Sequence, residues 1–251
     1  MRKTSKVFEE LLKKYFNSYY AKHPSDATCV GLKSGEGKMN NVSFYSLNRQ
    51  QKQRKDALSK LDKIPPSTLS NEQNLDRLAF RSRLLRECED FERKKHALEP
   101  KGIDEVLEFL LRELQRSETE PKRAAKNIRS LLKGSQRYLK QAAKLIDKPE
   151  RVWLNIMISS FKASDSFFEA LTTFLKNNGN EKKDDSLVNF CQQACKGYYE
   201  SIITKPLANP ESFAIGSEML QRRIRDELGL DYTIGQVEAI ALSEIDRVSN
   251  L

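Results

Sequence analysis

Apolar residues recur three and four positions apart along nearly the whole chain, the spacing that gathers them on one face of an α-helix. Val7, Phe8, Leu11, Leu12, Tyr15, Phe16 and Tyr19 form the first such face; Pro24 stops it and opens a short second helix. Residues 33–41 have the glycine and asparagine density of a surface loop, and Ser43 is then placed to cap a helix running to about residue 62. Pro65-Pro66 ends that helix. Ser70 with Gln73 forms a capping-box pattern for a long helix to about residue 95, its inward face read as Leu75, Leu78, Ala79, Leu84, Leu85 and Phe91.

Beyond the break at Glu99-Pro100-Lys101-Gly102, the pattern predicts helices over 103–114 and, opened by Pro121, over 121–146. Residues 150–176 are apolar on several sides, notably Val152, Trp153, Leu154, Ile156, Met157 and Ile158, which assigns that helix to the centre of a bundle. Residues 177–185 are the most linker-like and the favoured site of proteolysis. Three further helices are expected: 186–203, 210–228 with Asn209 as cap, and 233–248 with Thr233 and Gln236 as a capping box. The expectation is an all-α protein, a multi-helix bundle of about eight to ten helices. Residues 1–251 are read as a single helical domain, with a possible flexible break at 177–185.

Composition narrows the field. With 38% hydrophobic residues in 251, the chain can bury about 70–75% of its unfolded surface, which excludes disorder. Ten glycines and eight prolines are too few for a sandwich or barrel of short strands. The basic start (Arg2, Lys3, Lys6) is followed by Glu9, Glu10, Lys13 and Lys14 where a signal peptide needs an unbroken apolar run. Residues 152–161 are interrupted by Asn155, Ser159 and Ser160, well short of the ~20 apolar residues of a membrane span. Four cysteines without a signal are read as reduced thiols in a cytoplasmic protein.

Lys and Arg total 44 against 35 Asp and Glu, a net charge of +9. Nearly all of it sits in residues 122–148, which hold nine basic residues and one acid, Asp147. At about 100° per residue, Lys122, Lys126, Arg129, Lys133, Arg137, Lys140, Lys144 and Lys148 share a sector of about 100°, and Ala124, Ile128, Leu131, Leu139, Ala142 and Ile146 lie opposite. Such a ridge suits nucleic acid phosphates or anionic lipid headgroups. It equally suits a solvated face, or one compensated by the acidic stretch 99–120, with seven carboxylates against three bases. The ridge has no base-reading or stacking residues beside it, so the solvated or compensated face is the leading reading and nucleic acid the lesser one.

Catalytic chemistry is sparse. Neither His23 nor His96 precedes a glutamate, so the two-histidine zinc helix cannot be written. His23 reads as a structural imidazole at a helix junction, and His96, after Arg93-Lys94-Lys95, as a cation at a helix C-terminus. Cys191 and Cys195 share a helical face but have no companion ligands, and read as small core residues. Asp184-Asp185 reads as a solvated turn, and Gly35-Glu36-Gly37 lacks the spacing of a dinucleotide loop. Phe161, Phe167, Phe168 and Phe174 read as core. No catalytic and no metal-binding residue is assigned.

Three stretches in order resemble the N-terminal half of the bacterial family called domain of unknown function 885. They are Tyr19-Tyr20-Ala21-Lys22-His23-Pro24-Ser25-Asp26-Ala27-Thr28-Cys29-Val30-Gly31, then Leu75-Asp76-Arg77-Leu78 with the helix leading to Glu99-Pro100, and Phe213-Ala214-Ile215-Gly216-Ser217-Glu218 continuing through Leu228-Gly229-Leu230-Asp231-Tyr232-Thr233. Together they span most of residues 8–248; the family more often has Asp-Pro where this chain has Glu99-Pro100. The resemblance implies an all-helical fold and kinship with zinc-peptidase-like proteins whose metal-binding His-Glu motif lies in a C-terminal half. No family catalytic residue has a counterpart here, so zinc is implied for that other half alone. The expectation is a helical scaffold or substrate-cleft half without autonomous catalysis. Its partners would be a C-terminal catalytic half or separate subunit, and a peptide substrate. The alternative is a basic module binding nucleic acid or another polyanion through the 122–148 ridge.

Overall fold

The computed structural model describes residues 2–179 and 183–250, with side chains from Thr4 onward. Among the described residues the fold is all-α, with eleven α-helices, three short 3-10 turns and no strand. The helices are α1 (Arg2–Lys22), α2 (Pro24–Cys29), α3 (Phe44–Leu61), α4 (Asn71–Glu92), α5 (Lys95–Leu98), α6 (Gly102–Arg116), α7 (Pro121–Leu145), α8 (Arg151–Asn177), α9 (Asp184–Ile203), α10 (Ser217–Asp226) and α11 (Ile234–Ser249). The expected break at 177–185 includes residues 180–182, which lie outside the described residues.

The chain divides into two compact units. One comprises Leu12–Lys52 and Lys94–Pro210, the other Met1–Leu11, Gln53–Arg93 and Glu211–Leu251.

The first unit is built on α6 to α9. Helix α7 packs against α6 and α9, and α8 against α9 and α6. Their inward stripes supply the core: Ile103, Val106 and Leu110 of α6, Ile128, Leu132 and Leu139 of α7, Phe168, Leu171 and Leu175 of α8, and Val188, Cys195 and Ile202 of α9. At full burial each such aliphatic or aromatic side chain contributes roughly 1.5–3 kcal/mol. Gly102 must stay small, because a Cβ there would fall 2.7 Å from the Tyr198 ring, whose hydroxyl accepts the Gly102 N–H at 3.3 Å. The four-residue α5, absent from the expected elements, clasps the link between α7 and α8: Asp147 N–H donates to Ala97 O at 3.1 Å and Glu150 N–H to Leu98 O at 2.9 Å. Lys95 Nζ stands 5.8 Å from the Trp153 ring, a cation–π contact.

Helix α8 is not the fully buried centre that its apolar content suggests. Met157, Ser164, Phe168, Leu171 and Leu175 form its one buried stripe, while Val152 and Ile156 are each 44% exposed.

In the second unit Phe8, Leu61, Phe80, Leu84, Cys88 and Ile224 are buried. The inward stripe of α4 is Phe80, Leu84 and Cys88, spaced four apart. Leu75 and Leu78, expected inside, are 69% and 58% exposed, because at about 100° per residue they lie about 180° and about 120° round the helix from Leu84. Helix α10 is tied to α4 mainly by charge: Arg222 pairs with Glu89, Arg223 with Asp90 at 3.0 Å, and Arg86 with Glu227. The single helix expected over 210–228 is instead a 3-10 turn, Pro210–Ser212, then α10, since Gly216 takes φ +80° and breaks it. Both expected capping boxes form, at Ser70/Gln73 and Thr233/Gln236.

Candidate functional site

The basic ridge runs along α7 as its spacing predicts, with two exceptions, Arg129 and Lys148, the latter lying beyond the end of the helix at Leu145. Lys122, Lys126, Lys133, Arg137, Lys140, Lys144 and Lys148 are all exposed. Arg129 is turned inward: it is buried and its Nε donates to Asp184 at 2.8 Å, with Nη2 on the second carboxylate oxygen at 2.9 Å. Asp184, read from sequence as a solvated turn, is thus a buried counterion at the start of α9. A guanidinium at the edge of the ridge sector reaches the α9 end, where burial would be costly without that carboxylate.

The acids of 99–120 do not neutralise the ridge. Asp104 accepts from the Ser160 hydroxyl, Glu105 from Tyr138, and Glu108 pairs with Arg112. Glu120 pairs with Arg123 at 2.8 Å. Among the described residues none of the seven exposed cations has a carboxylate within ion-pair distance. The ridge is therefore solvated and uncompensated.

A polar cluster that the sequence reading passed over holds the loop at 33–41. Arg123 Nε donates to Glu36 at 2.8 Å, and Arg116 stands 3.5 Å from Glu36 and 3.3 Å from Glu113. Asn127 Nδ2 donates to Glu113 at 3.1 Å. Burial pushes the Glu113 carboxyl up from its ordinary value. In Glu36 burial acts the same way, but Arg123 and the other donors outweigh it and hold that carboxyl down. The cluster works as a clamp: Met39 enters the core beside it, and Asn40 accepts from the Ser25 hydroxyl at 3.1 Å. Only the pairing of Glu36 with bases about 80 to 90 positions away defines it, and no local pattern announces such a pairing.

The remaining chemical candidates are structural. His23 Nδ1 lies 3.0 Å from Tyr19 O and its ring stacks on Tyr19 at 4.1 Å. His96 sits in α5 rather than at the end of α4, and burial, followed by the nearby Lys94 charge, lowers its pKa. A helix-capping cation at this position is disfavoured, which corrects the sequence expectation. Cys191 and Cys195 are both fully buried in the core. The hydrogen bond that Cys195 donates to Cys191, together with burial, keeps the Cys195 thiol protonated. Among the described residues no group of three or more His, Cys, Asp or Glu is placed to hold a metal ion, so zinc does not fit those residues. No described helix is long and apolar enough to cross a membrane.

The residues that carry the family resemblance do structural work. Ala27 is buried, Thr28 Oγ1 donates to Pro24 O at 3.0 Å, and Gly31 has φ +80°. Arg93 donates to Ala214 O at 3.0 Å. Gln221 joins α10 to α11, donating to Tyr232 O at 2.7 Å and accepting from Ile234 N–H at 3.0 Å.

Comparison with known proteins agrees with that emphasis on architecture. No curated protein matches the chain. A solved structure of a candidate lipoprotein of unknown function from Shewanella oneidensis superposes with a TM-score of 0.76 at 14% sequence identity, covering 97% of this chain and 46% of that one. The shared property is the fold, and this chain spans less than half the length of that relative. The model of the family described as bacterial protein of unknown function (DUF885) matches residues 24–250, and the chain belongs to that family.

Proposed function

We propose that the chain is a non-catalytic helical scaffold that acts beside a complementary polypeptide segment, the two forming a zinc-peptidase-like protein in which this part supplies one wall of a peptide-binding cleft. The observation that carries the reading is α11. None of its described residues is buried, although Val237, Ala241, Ile245 and Val248 recur at helical spacing as an apolar stripe, with Ile240 and Leu242 at its margins. A contiguous apolar face in water marks a surface that another body covers. The solved relative continues well beyond the 46% of its length that this fold matches, which leaves room for a second body of similar size. That body is the occupant we assign to the α11 face, and zinc and hydrolytic chemistry belong to it in this reading.

Four cysteines in thiol form support placement in a reducing compartment, whereas the description of the solved relative as a candidate lipoprotein supports export of that protein. Metal analysis and a fluorogenic peptide assay on the purified chain test the proposal. The expected result is no stoichiometric zinc and no hydrolysis. Tightly bound zinc together with peptidase activity in this chain alone overturns it.

A further inference from the structure

We propose that the outward face of α7 docks the protein on a planar anionic surface, a bilayer rich in acidic phospholipid headgroups. This goes beyond the scaffold reading and stands apart from it. At about 1.5 Å and about 100° per residue, Lys122, Lys126, Lys133, Arg137, Lys140 and Lys144 lie along about 33 Å of an uninterrupted helix and within about 60° of its circumference. All six are exposed, and among the described residues none is ion-paired. Three of the acids packed near α7 are engaged elsewhere: Glu113 with Asn127 and Arg116, Glu120 with Arg123, and Asp184 with Arg129.

Shape selects the partner. A straight row of flexible cations projecting one way meets a plane with every member at once. The phosphate strands of a duplex wind around a cylinder, so the same row meets them only where a strand crosses it, with fewer contacts. The face also lacks the means to read or stack bases: the sole aromatic residue of α7, Tyr138, is buried and bonded to Glu105. No exposed apolar residue interrupts the row, so attachment is peripheral and electrostatic, without insertion. Each Lys or Arg held near an anionic leaflet strengthens binding about five-fold.

Sedimentation with vesicles decides the matter. The full chain should bind phosphatidylglycerol-rich vesicles at low salt, ignore pure phosphatidylcholine, and be released in about 1 M salt, where the Debye length is about 3 Å. Lys133→Glu/Arg137→Glu/Lys140→Glu should weaken binding at least about 100-fold. Charge reversal at Lys13, Lys60 and Lys162, three exposed bases on other helices, should leave most of it. Unchanged thermal unfolding of the first variant keeps the result interpretable, since its three positions are solvated. No vesicle binding at low salt, or binding indifferent to the α7 reversal, overturns the proposal. So does a labelled duplex bound more tightly than the vesicles and lost in the same variant, which reassigns the row to nucleic acid.

Discussion

Arg129 and Lys133 stand one turn apart on the same helix, yet they belong to different regimes. Arg129 and Asp184 are both buried, so removing the base strands a carboxylate out of water. Breaking such a pair from one side costs about 3–5 kcal/mol. Arg129→Met should therefore lower unfolding stability by about 3 kcal/mol in urea titration, while Lys133→Met should change it by less than about 0.5 kcal/mol. Equal effects would mean that the ridge is energetically uniform. Glu87 supplies the pH dependence. Burial raises its pKa, but Arg54, at 2.7 Å, and Arg83, at 2.8 Å, outweigh burial and hold the carboxyl below its ordinary range. With the folded value below the unfolded one, its stabilising contribution is complete above about pH 4.3 and is withdrawn as pH falls through the folded value. Arg54→Ala should flatten the acid limb of a plot of urea midpoint against pH. An acid limb identical in the two proteins would show that this carboxylate contributes nothing.

Elements follow the sequence closely where their signals are local. Ser70 and Thr233 could be placed as caps because a capping box spans four residues and needs no partner elsewhere. The inward face of α4 was harder, since its leucines lie on both sides of the helix and only packing chooses between them. Leu84→Ala should cost about 2–5 kcal/mol, and Leu75→Ala almost nothing. A large loss at Leu75 would restore the face read from the sequence. Helix α5 escaped notice because four residues carry no period, and its reason for existing is the backbone it clasps at 147–150. The helix expected over 210–228 failed at Gly216, whose left-handed backbone is a fact of conformation that an isolated Gly does not announce.

For the molecule as a whole, periodicity sufficed for the all-α class, and the family match over 24–250 agrees with the stretches that suggested it. Six of the eight ridge cations were legible, because charge and helical phase are both written in the chain, whereas Lys148 falls past the helix end at Leu145. The inward turn of Arg129 was not legible, since its counterion lies 55 positions away. The Glu36 clamp was illegible for the same reason. The division into two units could not be read at all, because each unit is assembled from separated stretches, so no composition break marks its edge.

The contact between Lys95 and Trp153 has a practical side. Trp153 is the chain's single tryptophan and belongs to the unit built on α6 to α9. Its emission is thus a private gauge of that unit, free of signal from the other, whereas circular dichroism at helical wavelengths sums both. Superimposed denaturation curves from the two methods would mean that the halves melt as one cooperative body. Separated curves would give each unit its own stability from a protein carrying no added label.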